Sequence, residues 1–417
     1  LTDLNDTRGW WRKLAAVSGT DLILAVFGVV TSVLLGRLLP PEGRGAVAAF
    51  ILWPLLFQAM LTFGMEHGAI LLSARNRKRL NPVVGCFVLV SAVLGGAIAA
   101  LGLGLLPWLM QDYSPSLRLW TSVLFAITPV NLLTGYLLSM LQGVGRFAAF
   151  NLLRMTQTVV YFLGIVGLGV SDTLTPERVA MVFISTHVVT ALVVGWTCRA
   201  NVFPLAYDGA LLRELLSFGR RNALSVLLNQ LNARLPQAYL ATFASPAILG
   251  LFAVSNTCSQ AASVLGTGVQ RLVVSETANA ADPRRAILRH AGLAAAFLMP
   301  LSLGLVVMMP WLVGSFFGEA YMPTVTAAQL LSLSVALLVV QRTLANGLRG
   351  HGRPELVAMP EFLGIVATGG CLAALVPWLG VTGAGIAGLA GTCALLTATL
   401  VTTLVKDLTP KPKMVRT

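Results

Sequence analysis

The sequence predicts an all-α, polytopic membrane protein: twelve transmembrane helices in two six-helix lobes, related by a pseudo-twofold along the membrane normal. Three observations predict it. The 417 residues are 56% hydrophobic and only 11% charged, with a mean hydropathy of +0.80, against about 25% charged in an ordinary soluble domain. The apolar residues come in continuous runs of about 20, the length that crosses a bilayer as a helix. A transmembrane barrel would instead alternate apolar and polar over about 10 residues. Landmarks of the first half also recur in the second at an offset of about 205 residues. Such a composition excludes a soluble enzyme, a nucleic-acid module and a disulfide scaffold.

The predicted spans are 14–36, 46–73, 82–106, 119–141, 148–170, 179–198, 221–243, 249–275, 286–313, 324–348, 356–376 and 384–404. A polar opening, Leu1 to Lys13, precedes a first apolar run too long for a cleavable signal peptide. The chain does not begin with Met, which leaves an upstream N-terminus open. Leu35 to Gly45 links spans 1 and 2, and the basic cluster Arg75 to Arg79 ends span 2. Pro107-Trp108-Leu109 follows span 3, Leu141 to Arg146 follows span 4, and Arg178 precedes span 6. The longest inner segment, Arg199 to Arg221, parts the chain into lobes 1–204 and 205–417. Leu240 to Gly250 joins spans 7 and 8, and Arg284 and Arg285 precede span 9. Pro310-Trp311-Leu312 follows span 9, Leu348 to Arg353 follows span 10, and Trp378 lies between spans 11 and 12.

Charge orients these spans. With the N-terminus inside, inner segments hold 21 of the 29 Lys and Arg, and outer segments hold only Arg37, Arg44, Arg118 and Arg178. Arg154, Arg234, Arg271 and Arg342 fall within spans. The positive-inside rule therefore accounts for the net charge of +13 without a nucleic-acid partner, and puts both termini in the cytoplasm. Most tryptophans lie near span ends, as an interfacial belt requires. The five cysteines sit in or beside apolar runs with no C-x-x-C spacing, and read as small hydrophobes rather than metal ligands. No cofactor is expected.

The repeat is specific in its details. Pro41 and Gly45 match Pro246 and Gly250. Pro107-Trp108-Leu109 matches Pro310-Trp311-Leu312, and Leu141 to Arg146 matches Leu348 to Arg353. An even number of spans separates the repeats, so both halves insert the same way round. Two such bundles can enclose a cavity and, by rocking, open it to either side in turn.

The same residues carry a family resemblance. Gly36-Arg37-Leu38-Leu39-Pro40-Pro41-Glu42-Gly43-Arg44-Gly45 resembles the "aRxLGPexfG" loop of bacterial polysaccharide flippases of the Wzx type, with Pro40 where that family often has Gly. Leu141 to Phe147 and Leu348 to Pro354 look like its "LLxGxGR" inner turns. Phe316-Phe317-Gly318-Glu319-Ala320-Tyr321 resembles its "llFGxxY" signature. The resemblance covers nearly the whole chain and implies the multidrug/oligosaccharidyl-lipid/polysaccharide exporter superfamily. It implies a multi-pass protein of the bacterial inner membrane that handles a polyprenyl-pyrophosphate-linked sugar among membrane lipids. A polysaccharide polymerase and export machinery are the further partners it brings in.

Polar residues inside the spans supply the expected site, because an ionisable group at membrane depth faces a cavity or a partner. Asn256, Gln260, Ser263, Thr267 and Arg271 share one face of span 8, and Gln58, Thr62 and Glu66 one face of span 2. Asn151, Arg154, Thr158 and Tyr161 share a face of span 5; Gln230, Arg234 and Gln237 mark span 7, beside Pro236. Gln341, Arg342 and Asn346 mark span 10, Asp21 lies in span 1, and Glu361 near the start of span 11. The substrate-binding set is thus Arg234, Arg271, Arg154, Arg342, Gln230, Gln260 and Asn256. A guanidinium fork suits phosphate oxygens, and the amides and hydroxyls suit sugar. Arg154 and Arg342 are also near enough to an inner loop to snorkel. Glu66, Asp21 and Glu361 are the gate or coupling carboxylates, although Asp21 could equally cap a helix beginning at Ser18. Glu66 aligns with Arg271 across the repeat, which predicts an ion pair closing an inner gate. His187, alone in span 6, is expected to be packed and neutral.

These readings converge on a flippase that moves an anionic lipid-linked oligosaccharide from the cytoplasmic to the outer leaflet by alternating access. The alternative within the superfamily is a cation-coupled multidrug extruder, whose cationic substrates need cavity carboxylates; four span arginines weigh against it. A membrane glycosyltransferase needs paired carboxylates or a catalytic histidine on large loops. The acids on the short loops here, Asp112, Asp172, Glu177 and Glu319, are isolated, so no enzyme is expected.

Overall fold

A computed structural model describes residues 7–202, 206–260, 283–350 and 354–405, and among them every regular element is a helix. The first half forms α1 (Thr7–Leu38), α2 (Pro41–Leu61), α3 (Met65–Arg75), α4 (Leu80–Leu109), α5 (Pro115–Ala126), α6 (Thr128–Gly143), α7 (Phe147–Val170) and α8 (Pro176–Val202). The second half forms α9 (Gly209–Phe243), α10 (described over 246–260), α11 (Pro283–Phe316), α12 (Val325–Gly350) and α13 (Ala358–Val405). Short 3-10 turns at Glu319–Thr324 and Pro354–Val357 precede α12 and α13.

The predicted spans fall on these helices with instructive differences. Span 2 is broken between α2 and α3, and span 4 bends by 47° between α5 and α6. Spans 11 and 12 are the two parts of α13, joined at Gly380, whose φ of 54° and ψ of −127° suit a residue without a Cβ. Among the described residues, seven helices are long and apolar enough to cross a membrane, and the bent α5–α6 pair makes an eighth. Helix α9 starts at Gly209, well before the expected 221. Its first turns carry Leu211, Leu212 and Leu215 as a stripe, hidden from hydropathy by Arg213 and Glu214. Leu215 is buried in the core, and Glu214 pairs with Arg75 at 2.7 Å.

By internal packing the chain forms two units, residues 1–39 with 46–226, and residues 40–45 with 227–417. In the first, α3, α4 and α6 close around Leu72, Val83, Phe87, Leu132, Tyr136 and Met140. In the second, α11, α12 and α13 pack side by side around Ile287, Leu298, Ala336, Leu344 and Leu348. Hydroxyls along the helices mostly bond back to the carbonyl four residues earlier, as Thr186 does to Val182 and Thr403 to Thr399, both at 2.8 Å. That local bond satisfies a polar group where hydrocarbon offers no partner.

The second unit also holds the two repeat-related loops against each other. A Cβ on Gly45 would lie 1.7 Å from the Pro246 carbonyl oxygen, and one on Gly250 would lie 1.9 Å from that of Pro41. The approach is reciprocal: each glycine meets the proline of the other's loop, which the repeat pairs with the proline of its own. Backbone contact this close admits no side chain, which explains why glycine stands at both positions.

Candidate functional site

The second unit carries a polar recess among α9, α10, α12 and both parts of α13. It encloses about 840 Å³, including the part open to its surroundings. Helix periodicity explains how each wall is assembled. On α9, Asn229, Asn232, Ala233, Pro236 and Gln237 follow i, i+3, i+4, i+7, i+8, one face of a helix. Helix α10 adds Phe252, Asn256 and Ser259. Helix α12 adds Ser334, Gln341 and Arg342 among leucines and Val335, and α13 adds Glu361, Thr368, Gly388, Gly391 and Thr392.

Most of the polar lining is bonded. Asn232 Nδ2 donates to the Glu361 carbonyl oxygen at 2.9 Å and also to Glu361 Oε2. Glu361 is 5% exposed, so this amide is what compensates its burial. Ser334 and Thr392 hydroxyls share a hydrogen bond of 2.7 Å, and Thr392 donates to the Gly388 carbonyl at 2.8 Å. Gln341 Nε2 donates to Thr399 Oγ1 at 3.2 Å, tying α12 to α13. Arg342 differs: it lines the recess within electrostatic range of Glu361, yet makes no hydrogen bond or ion pair among the described residues. A guanidinium with five free N–H groups is an acceptor-seeking group. What it would bind is an anion with several oxygens, such as phosphate.

The structure gathers Arg342, Asn256 and Glu361 of the expected residues at this recess. Arg234 and Gln230 lie on α9 but do not line it; Arg234 is exposed and donates to Gln237 Oε1 at 3.1 Å. Gln260 is exposed at the last described position of α10. Arg271 lies outside the described residues, and so does the expected Glu66–Arg271 pair. Asp21 falls within α1, which runs unbroken from Thr7, so it does not cap a helix starting at Ser18; its side chain lies outside the described residues. In the first unit Arg154 is half-buried, 5.7 Å from the Phe150 ring centroid. Glu66 stands in the first turn of α3.

His187 has a defined tautomer. Its Nδ1 lies 2.9 Å from the Phe183 carbonyl, which only accepts, so Nδ1 carries the proton. Nε2 then accepts from Gln157 Nε2 at 3.1 Å. The ring is neutral and packed, without a second titratable group in the pair.

Asn229, Asn232, Ser259, Ser334, Thr368 and Thr392 were not singled out from the sequence. The Asn229, Asn232, Pro236 stripe has a plain helical spacing, but it is neutral, and the neighbouring stripe through Arg234 carries the charge. Two of the family-like segments, the loop 40–45 and the segment that carries Tyr321, lie in the second unit. Tyr321 is buried within electrostatic range of Glu42 and Arg44, beside the Gly45–Gly250 crossing's own loop.

Similarity to known proteins places this architecture. The chain resembles an inward-facing multidrug resistance MATE family transporter of the MOP superfamily, with a TM-score of 0.76 and 17% identity, over 91% of this chain and 93% of that one. It resembles the lipid II flippase MurJ in an inward closed conformation with a TM-score of 0.69 and 13% identity, over 93% of this chain and 89% of the other. An outward-facing MATE transporter gives 0.62 and 16%, over 93% and 95%. At these identities the shared property is the fold. No curated protein matches the chain. The family model described as polysaccharide biosynthesis protein matches residues 34–326, well over half of the sequence, and the chain belongs to that family.

Proposed function

We propose that this protein is a membrane flippase that carries an anionic, lipid-linked oligosaccharide from the cytoplasmic to the outer leaflet by alternating access. The observation that carries the reading is Arg342, a permanently charged group in a recess of amides and hydroxyls, with no bonded partner of its own among the described residues. Family membership and fold agree with it. A sugar pyrophosphate cannot cross hydrocarbon unaided, since each unpaired polar group costs roughly 2–7 kcal/mol there. Arg342 takes a phosphate oxygen pair, and Asn229, Asn256 and Gln237 offer donors and acceptors to hydroxyls. Glu361, held by Asn232, is the coupling carboxylate in this reading. The polyprenyl tail stays in the bilayer, no covalent bond changes, and both termini lie in the cytoplasm of a bacterial inner membrane.

Native mass spectrometry of the gently purified full chain tests this, with Arg342→Ala beside wild type. The expected result is a polyprenyl-pyrophosphate sugar retained by wild type and lost, at least tenfold, in the variant. Phospholipid alone in both, together with binding of cationic drugs, overturns the reading in favour of a multidrug extruder.

A further inference from the structure

Among the described residues that line the recess of the second unit, Arg342 is the cation and Glu361 the acid. Register places them at one depth. Between the two parts of α13, a Cβ on Gly391 would meet the Thr368 hydroxyl, and one on Gly364 would lie 3.1 Å from Leu395 Cβ. These antiparallel pairs advance about one turn at a time, and the next step brings Glu361 level with Ala398. Helix α12 runs parallel to the second part of α13, with Ser334 bonded to Thr392 and Gln341 to Thr399. That seam sets Val340 level with Ala398, and Arg342 follows two positions later. At about 1.5 Å of rise per residue, Arg342 and Glu361 stand at nearly the same height.

A buried carboxylate that shares a recess with a guanidinium at one height is expected to pair with it. Among the described residues it does not. Glu361 is instead clasped by α9. Asn232 Nδ2 donates both to Glu361 Oε2 and, at 2.9 Å, to the Glu361 backbone carbonyl. An amide nitrogen has two N–H groups, and here both go to one residue. Two such bonds fix the carboxylate against its own backbone. The amide oxygen is seated over Gly364, where a Cβ would lie 3.1 Å from Asn232 Oδ1. The neighbouring cations are engaged elsewhere. Arg349 donates to Asn346 Oδ1 at 3.3 Å, and Arg234 donates to Gln237 and does not line the recess.

We propose that Asn232 is a positioning residue: it holds the Glu361 carboxylate off Arg342 and so keeps the guanidinium open to an anionic substrate. Glu361 is then a built-in competitor that expels the anion when the clasp opens. A carboxylate and a pair of phosphate oxygens offer a guanidinium the same two acceptors, so one can replace the other. Any motion that draws α9 away from the first part of α13 frees the carboxylate to make this exchange. The inference rests on the reading of Arg342 as an anion site and adds to it a means of release.

Two measurements on the purified full chain in detergent separate this inference from the reading beneath it. The first needs no ligand: labelling of Arg342 by phenylglyoxal, an arginine reagent, quantified by peptide mass spectrometry. Wild type is expected to label, and Asn232→Ala to label about fivefold more slowly because the freed carboxylate covers the guanidinium. Asn232→Ala with Glu361→Gln should label as wild type does. The second is titration calorimetry with inorganic pyrophosphate. Asn232→Ala should bind it about tenfold more weakly than wild type, the double variant should recover, and Glu361→Gln alone should bind more tightly. A role for Asn232 in stability alone gives no such recovery. Gly364→Ala crowds the amide without deleting it, should follow Asn232→Ala in direction, and serves where that variant does not fold. Equal labelling of wild type and Asn232→Ala overturns the inference, and so does a double variant that stays protected. Failure of wild type to bind pyrophosphate overturns the anion reading of Arg342 instead, while the labelling order still decides the clasp.

Discussion

The two units treat buried polarity in opposite ways. In the second, polar side chains from four helices gather at one recess and are bonded to one another, Ser334 to Thr392 and Asn232 to Glu361. In the first, they are scattered. Among the described residues, Trp53, Ser73, Ser91, Tyr113, Tyr136 and Asn151 each bury a polar atom for which the structure shows no hydrogen bond, as Ser302 does in the second unit. The repeated sequence landmarks supply a common frame, and function is written on that frame asymmetrically. A buried donor or acceptor left unsatisfied costs about 1–3 kcal/mol. The first unit's orphans are thus either tolerated defects or places where something else binds.

The common frame can be broken first, with the largest expected effect. Gly45→Ala and Gly250→Ala each drive a Cβ into a backbone carbonyl, which cannot swing aside as a side chain can. Each should cost about 3 kcal/mol or more and sharply reduce the yield of folded protein, read by size-exclusion chromatography. Because the contact is reciprocal, the two losses should be similar. Gly96→Ala, whose Cβ meets nothing within 4 Å, should leave the yield unchanged. Unequal losses would show that the loops do not share the strain symmetrically.

The next prediction compares one polar pair from each unit. Asn232→Leu removes the amide that holds Glu361 and leaves a buried carboxylate without a donor. Destabilisation of about 1–3 kcal/mol is expected, more if the carboxylate stays charged. Gln157→Leu removes the donor to His187 Nε2, a neutral pair, and should cost about 0.5–1.5 kcal/mol. Thermal melts of both variants check the order. A larger loss for Gln157→Leu would mean that the first unit's pair matters more to stability than the recess does.

How much of this was legible depends on the kind of signal. The spans were, because a run of apolar residues states its own length and the basic residues state its ends. The break at Thr62-Phe63-Gly64 was not, since it lies inside an apolar run and hydropathy has no term for φ. The early start of α9 was missed for the opposite reason: Arg213 and Glu214 lower the average while Leu211 and Leu215 still form a buried stripe. At the site, Arg342 and Glu361 were found by their charge. Asn232 and Thr392 were not, because neutral polar residues acquire meaning only from the neighbours that folding supplies. Asn232 and Glu361 are 129 residues apart, and no local pattern announces their bond.

The smallest expected effect sharpens the question of what the first unit's orphans are for. Tyr113 lies between α4 and α5, 6% exposed, with a hydroxyl that has no partner among the described residues. Burial pushes this hydroxyl well above its ordinary value of 10, and the neighbouring Asp112 adds to the rise. A group whose folded value is raised stabilises the fold fully below its unfolded value, and that contribution is lost as pH rises beyond it. Wild type should therefore lose stability above about pH 10 in part through Tyr113. Tyr113→Phe removes both the ionisation and the orphan. At pH 7 it should be neutral or stabilise by up to about 1 kcal/mol, with a shallower loss between about pH 10 and 11 in thermal melts. A destabilised Tyr113→Phe at pH 7 would mean that the hydroxyl has a partner after all.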